Sequence, residues 1–132
     1  MTDAEKIQTL IRYRLEQADE ALSAAAINLA HDFHRSAVNR AYYAMFYAVL
    51  ALLASRQLET SRHSGAISQF DQLFVKSGLL PREFSQWLHD GFSNRQAADY
   101  GVELVHIPLE VESLLAHARE FVAGVRRHLQ PG

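Results

Sequence analysis

Ala41 to Ala54 is an uncharged apolar run of fourteen residues, bounded by Arg40 and, after Ser55, by Arg56. No other stretch limits the fold as much. Read at 100° per residue, Ala-Tyr-Tyr-Ala-Met-Phe-Tyr-Ala-Val-Leu-Ala-Leu-Leu-Ala is apolar nearly all round. A helix of that kind sits in the middle of a structure, packed on several sides. Its alanines let neighbours approach closely. At 1.5 Å per residue, fourteen residues fall short of a bilayer's hydrocarbon core of about 30 Å, so the spacing predicts a buried helix.

The flanking sequence supplies helices to surround it. Thr2 with Glu5 forms a capping box, and Ile7, Leu10, Ile11, Leu15, Ala18, Leu22, Ala25 and Leu29 follow at helical spacing to about residue 30. The central helix starts near Asp32 or Phe33 and runs to about Ser55. Arg56 to Arg62 reads as a loop. A short third helix begins near Arg62, turns Ile67, Phe70 and Phe74 inward and is capped by Gly78. Pro81 suits the first turn of a fourth, which places Phe84, Trp87, Leu88, Gly91 and Phe92 on one face and ends at Gly101. Pro108 opens a fifth, with Glu110 and Glu112 early and Arg126, Arg127 and His128 late, as the helix dipole favours. Its stripe is Val111, Leu114, Leu115, Ala118, Phe121, Val122, Val125 and Leu129. No strand pattern, repeat or low-complexity tract is present. The expected fold is all-α, one domain over residues 1–132, an up-and-down bundle of four to five helices. The apolar span Tyr42 to Leu53 is long for one small bundle to cover, and a homodimer through a helix face would cover it.

The 132 residues are 48% hydrophobic and 21% charged, which excludes wholesale disorder. There is no cysteine, which excludes disulfides, thiolate metal sites and a thiol nucleophile. The N-terminus shows no basic-then-apolar leader, so a cytoplasmic protein is expected. A net charge of −2 excludes a general polyanion binder. The charge is uneven, however. Residues 31–65 carry Arg35, Arg40, Arg56 and Arg62 against Asp32 and Glu59, net +2, while both ends of the chain are acidic. A local anion site fits that middle; so do scattered surface arginines.

Arg95 is the residue most out of place. It follows Phe92 by three, Leu88 by seven and Phe84 by eleven, which puts a cation on or beside an apolar face. It needs an anionic partner or a cleft. Asp99, four residues on, can pair with it while the head snorkels to solvent. Tyr100 adds a phenol at the helix end. Arg40 and Tyr43 share a face of the central helix, extended by Tyr47, and could line a cleft. His63 stands at a helix start with Ser61 and Ser64 as possible caps. His31 and His34 lack a third ligand, so no metal site is expected. Phosphate loops, zinc-protease and serine-hydrolase signatures are absent.

Asn39-Arg40-Ala41-Tyr42-Tyr43-Ala44-Met45-Phe46-Tyr47 resembles the second helix of HEPN domains. Three further stretches follow in the family's order: His63 to Ser68, Phe74 to Pro81, and Arg95-Gln96-Ala97-Ala98-Asp99-Tyr100. The likeness spans roughly residues 8–128. It implies a HEPN-like four- or five-helix bundle that commonly dimerises and often pairs with a minimal nucleotidyltransferase. Several members are toxins of toxin–antitoxin pairs, and several are metal-independent ribonucleases. Their motif is Arg, four to six residues, then His. Here Arg95 matches the Arg, but Tyr100 stands where the His would be, and the next histidine is His106.

Three functions follow. In a regulatory module, a homodimer holds an RNA or nucleotide phosphate with Arg95, Arg40, Tyr43 and His63 and partners a nucleotidyltransferase. In a metal-independent ribonuclease toxin, Arg95 stabilises the phosphorane while Tyr100, Asp99 or His63 moves protons. In a structural dimer there is no ligand. None requires a cofactor. A phenol with pKa about 10 is a poor base near neutrality, which favours the binding module.

Overall fold

A computed structural model describes residues 1–60, 62–99 and 108–130. The fold is all-α. Helix α1 spans Asp3–Ala30, α2 His34–Ser55, α3 His63–Phe70, α4 Arg82–Asp99 and α5 Pro108–Leu129. No strand occurs among the described residues. Tyr100, Gly101 and His106 lie outside them, so the end expected at Gly101 does too.

Helix α2 is the centre and packs against α1, α3, α4 and α5. Tyr42, Ala44, Met45, Ala48, Val49, Leu52 and Leu53 are all buried within the one chain. The neighbouring helices cover most of the span, while Tyr43, Tyr47 and Leu50 stay partly exposed. The helix is 22 residues, longer than its apolar run, and by length and composition alone could cross a membrane. Its burial, rather than its length, marks it as the core helix of the bundle.

The ends of the helices follow from local chemistry. The Thr2 hydroxyl accepts from Glu5 N–H at 3.2 Å, and the Glu5 carboxylate accepts from Thr2 N–H at 3.1 Å, closing the expected box. Helix α1 ends on Asp32 at φ 61, with Phe33 N–H donating to Asn28 C=O and Asp32 N–H to Leu29 C=O. Helix α2 ends the same way on Gln57 at φ 57, with bonds to Leu53 and Ala54. These are Schellman closures with a side chain where glycine is usual. Gly78 at φ 83 matches its predicted capping role. Pro81 lies just outside α4, not in its first turn, and its carbonyl accepts from Phe84 N–H at 3.1 Å.

Two features depart from the periodicity. Leu10 is 36% exposed, off the buried stripe of α1. Helix α3 runs on into a π turn over Asp71–Val75, with Lys76 N–H donating to Asp71 C=O at 2.8 Å. Phe70 and Phe74, on either side of that junction, are both fully buried. Phe121 of α5 meets Phe70 at 5.3 Å and Phe84 at 4.9 Å between ring centroids. Glycine permits two close approaches. A Cβ on Gly91 would come within 2.7 Å of Met45 Cε, and one on Gly124 within 2.5 Å of Phe84 Cζ. Trp87, the single tryptophan, lies flat on His117, centroids 4.4 Å apart, where α4 meets α5.

Candidate functional site

Three helices bring one cluster together. Helix α2 supplies Tyr42, Tyr43 and Phe46, α3 supplies its first residue His63, and α4 supplies Phe92, Arg95 and Asp99. The N-cap of α3 is Arg62, with no side-chain cap bond; Ser64 lies inside the helix and Ser61 outside the described residues. His63 is therefore not a residue of a serine-capped end. Its ring lies flat on Phe46, centroids 4.1 Å apart and planes 8° apart. Its Nδ1 is 2.7 Å from the Tyr42 hydroxyl.

Arg95 Nη1 donates to Asp99 Oδ2 at 3.1 Å, the predicted pair one helical turn apart. The head does not snorkel. The side chain is only 18% exposed, and buried Nε has no partner among the described residues. Aromatic faces receive the cation instead. Its Cζ is 5.6 Å from the ring centroids of Tyr42 and Tyr43 and 5.8 Å from that of Phe92. Such contacts contribute about 0.5–2 kcal/mol, more where water is excluded. Arg40 approaches Tyr43 as well, at 5.0 Å, and its Nε donates to Asn39 Oδ1 at 3.0 Å. Two guanidiniums thus share one phenol ring.

The electrostatics follow from burial. Tyr42 is fully buried, and its phenol is pushed far above the ordinary value, chiefly by desolvation, though the Arg95 cation pulls it down. His63 is pushed below its ordinary value, first by burial and then by Arg95. Near neutral pH the cluster therefore holds a neutral phenol, a neutral imidazole and one guanidinium.

Beside it lies an open groove of about 570 Å³, lined by Asn28, Arg35, Ser36, Asn39, Arg40, Ala98 and Asp99. Among the described residues neither Arg35 nor Arg40 has a carboxylate within ion-pair distance, so the groove is cationic on balance. Arg95, Asp99, His63, Tyr43 and Arg40, singled out from the sequence, all lie in or beside this region; Tyr100 falls outside the described residues. No group of three His, Asp or Glu among the described residues could hold a metal.

Sequence reasoning missed the roles of Tyr42, Phe46 and Phe92. Tyr42 did carry a signal, since a phenol on a buried face needs a hydrogen-bond partner. Nothing in the spacing identifies His63, twenty-one residues on, as that partner. The sequence also gave no sign of the exposed pair of His89 Nε2 and Asp71 Oδ2 at 2.7 Å.

Comparison with known proteins bears on the family and the fold. A UPF0332 protein of Thermotoga maritima is 37% identical over 131 residues, covering 98% of this chain and 96% of its own. Two Methanocaldococcus jannaschii proteins named as candidate toxins are 35% and 31% identical. The first alignment covers 96% of this chain and 90% of the relative, the second 87% and 78%. The sequence model of the HEPN domain matches residues 11–128, from within α1 to the last turn of α5. On that match, and on the five-helix bundle that carries it, the chain belongs to the HEPN domain family.

Proposed function

We propose that this HEPN-type, toxin-like module binds a phosphate of RNA or of a nucleotide against Arg95, with Arg40, Tyr43 and His63 around it. In this reading it acts as a cytoplasmic homodimer beside a minimal nucleotidyltransferase. The observation that carries it is the state of Arg95. A guanidinium has five N–H donors, and among the described residues only one donates, to Asp99. Three aromatic faces hold the head in place at the edge of a cationic groove. A fixed, partly desolvated guanidinium suits the paired oxygens of a phosphate.

The test is the affinity of a labelled, uncleavable 2′-O-methyl RNA and of AMP for wild type and Arg95→Ala, matched for helicity. Loss of at least about tenfold on removing this charge-assisted contact is expected. Equal affinity, with only stability altered, would make the protein a structural dimer without this ligand.

A second reading, a metal-independent ribonuclease, is favoured by the neutral imidazole of His63 beside Arg95. Arg95 would stabilise the phosphorane, while His63, Asp99 or Tyr100 moves protons. The pairing of Arg95 with Asp99 inside one chain counts against it. Cleavage of a mixed RNA pool in EDTA, lost in Arg95→Ala, would establish this activity; an inert wild type would exclude it.

A further inference from the structure

The contact between Tyr42 and His63 decides what the imidazole can do. The Tyr42 hydroxyl is fully buried and, among the described residues, His63 Nδ1 is its sole hydrogen-bond partner. Burial keeps the phenol protonated, so its O–H needs an acceptor. Were the imidazole proton on Nδ1, it could donate to the phenol oxygen, but the phenol hydrogen would then have no acceptor. A buried donor left unpaired is costly. The phenol must donate to the Nδ1 lone pair. A neutral imidazole then carries its single proton on Nε2. The groups packed on the ring are Tyr42, Tyr43 and Phe46 from α2 and Phe92 from α4. The charge that bears on it is the Arg95 cation, which opposes a second proton.

We propose that Tyr42 locks His63 as the neutral Nε2–H tautomer, so that His63 and Arg95 form a donor-only pair for an oxyanion. The two N–H directions of an imidazole diverge, so the Nε2 proton points away from Tyr42. The matching ligand is rich in acceptor oxygens and brings no proton of its own, as a phosphodiester does. Within the ribonuclease reading the neutral His63 could only donate a hydrogen bond from Nε2–H to a phosphate oxygen; it could serve neither as the base nor as the acid, and proton movement would fall to Asp99 or Tyr100. Tyr42 is here a positioning residue. The tautomer follows from the hydrogen bond alone; the oxyanion ligand rests on the phosphate reading above.

Long-range proton–nitrogen spectra of nitrogen-15-labelled full-length protein at pH 7 test the tautomer directly. The His63 signals are assigned by their loss in His63→Gln. Wild type should show an unprotonated Nδ1 and a protonated Nε2, and Tyr42→Phe should release the ring to a mixture. An Nδ1–H tautomer, a free mixture or a doubly protonated ring in wild type would overturn the lock. Should Tyr42→Phe not fold, the wild-type spectrum still decides. The ligand half is read with the 2′-O-methyl RNA. His63→Gln, which keeps an N–H donor, should hold most of the affinity, and His63→Leu should lose on the order of tenfold. Equal binding by His63→Leu would remove His63 from the donor pair. No binding by wild type would refute the phosphate reading and this ligand, leaving the tautomer to stand or fall on its spectrum.

Discussion

At the scale of single residues, burial sets the chemistry. His63 holds its proton less readily in the folded chain than in the unfolded one. Unfolded His63 titrates near pH 6.5, so below about that pH the unfolded state binds more protons. Stability from this group is present above about 6.5, is lost as the pH falls, and levels off below the folded-state value. The fall in urea midpoint between pH 7.5 and 5.5 should therefore be smaller in His63→Gln than in wild type. A fall of the same size in both would rule out His63 as its source. Arg95→Ala should cost about 1–2 kcal/mol of stability, since the intrahelical pair is weak and the cation–π contacts, on a side chain 18% exposed, are modest. On the phosphate reading its larger effect is expected on RNA affinity. The position of Arg95 was legible because a cation on an apolar stripe shows in the spacing. Its aromatic cage was not, because Tyr42, Tyr43 and Phe92 come from two helices whose facing sides no periodicity specifies.

At the scale of elements, helix content and nearly every boundary were legible, because 3.6-residue stripes and caps are local signals. The π turn at Asp71–Val75 was not. It adds a residue to one turn, and Ile67, Phe70 and Phe74 look the same at helical spacing with or without it. The glycines in α4 and α5 separate two kinds of close approach. At Gly91 the obstacle is the end of the flexible Met45 side chain, which can swing aside. At Gly124 it is the Phe84 ring, already stacked on Phe121 and Trp87. Gly124→Ala should lose about 1–3 kcal/mol to overpacking, partly offset by about 1 kcal/mol of helix propensity. Gly91→Ala should be close to neutral. Thermal melts of the two variants check the order; a larger loss at Gly91 would contradict it.

At the scale of the whole molecule, a bundle with net charge −2 still places two arginines, Arg35 and Arg40, with no ion-pair partner among the described residues, in one groove. If Arg40 and Arg95 neutralise two phosphates, the logarithm of RNA affinity should fall with that of salt with a slope of about −1.4, as single strands require. A slope several times steeper would mean contacts spread far beyond the groove. Phe121 joins α3, α4 and α5 at the core, and Phe121→Ala should cost about 3–5 kcal/mol in a chemical melt. The burial of α2 was legible in its uncharged run, but not how few helices would suffice to cover it, because the alanines that allow close packing carry no count of neighbours. The flat stack of Trp87 on His117 gives the molecule an optical reporter of its own. Indole emission depends on what is stacked against the ring, so the fluorescence reports the geometry of this contact without any added dye. Indole and imidazole sit on different helices, and Arg95 lies two turns further along the tryptophan's helix, so a ligand that shifts α4 against α5 changes the brightness of the one tryptophan.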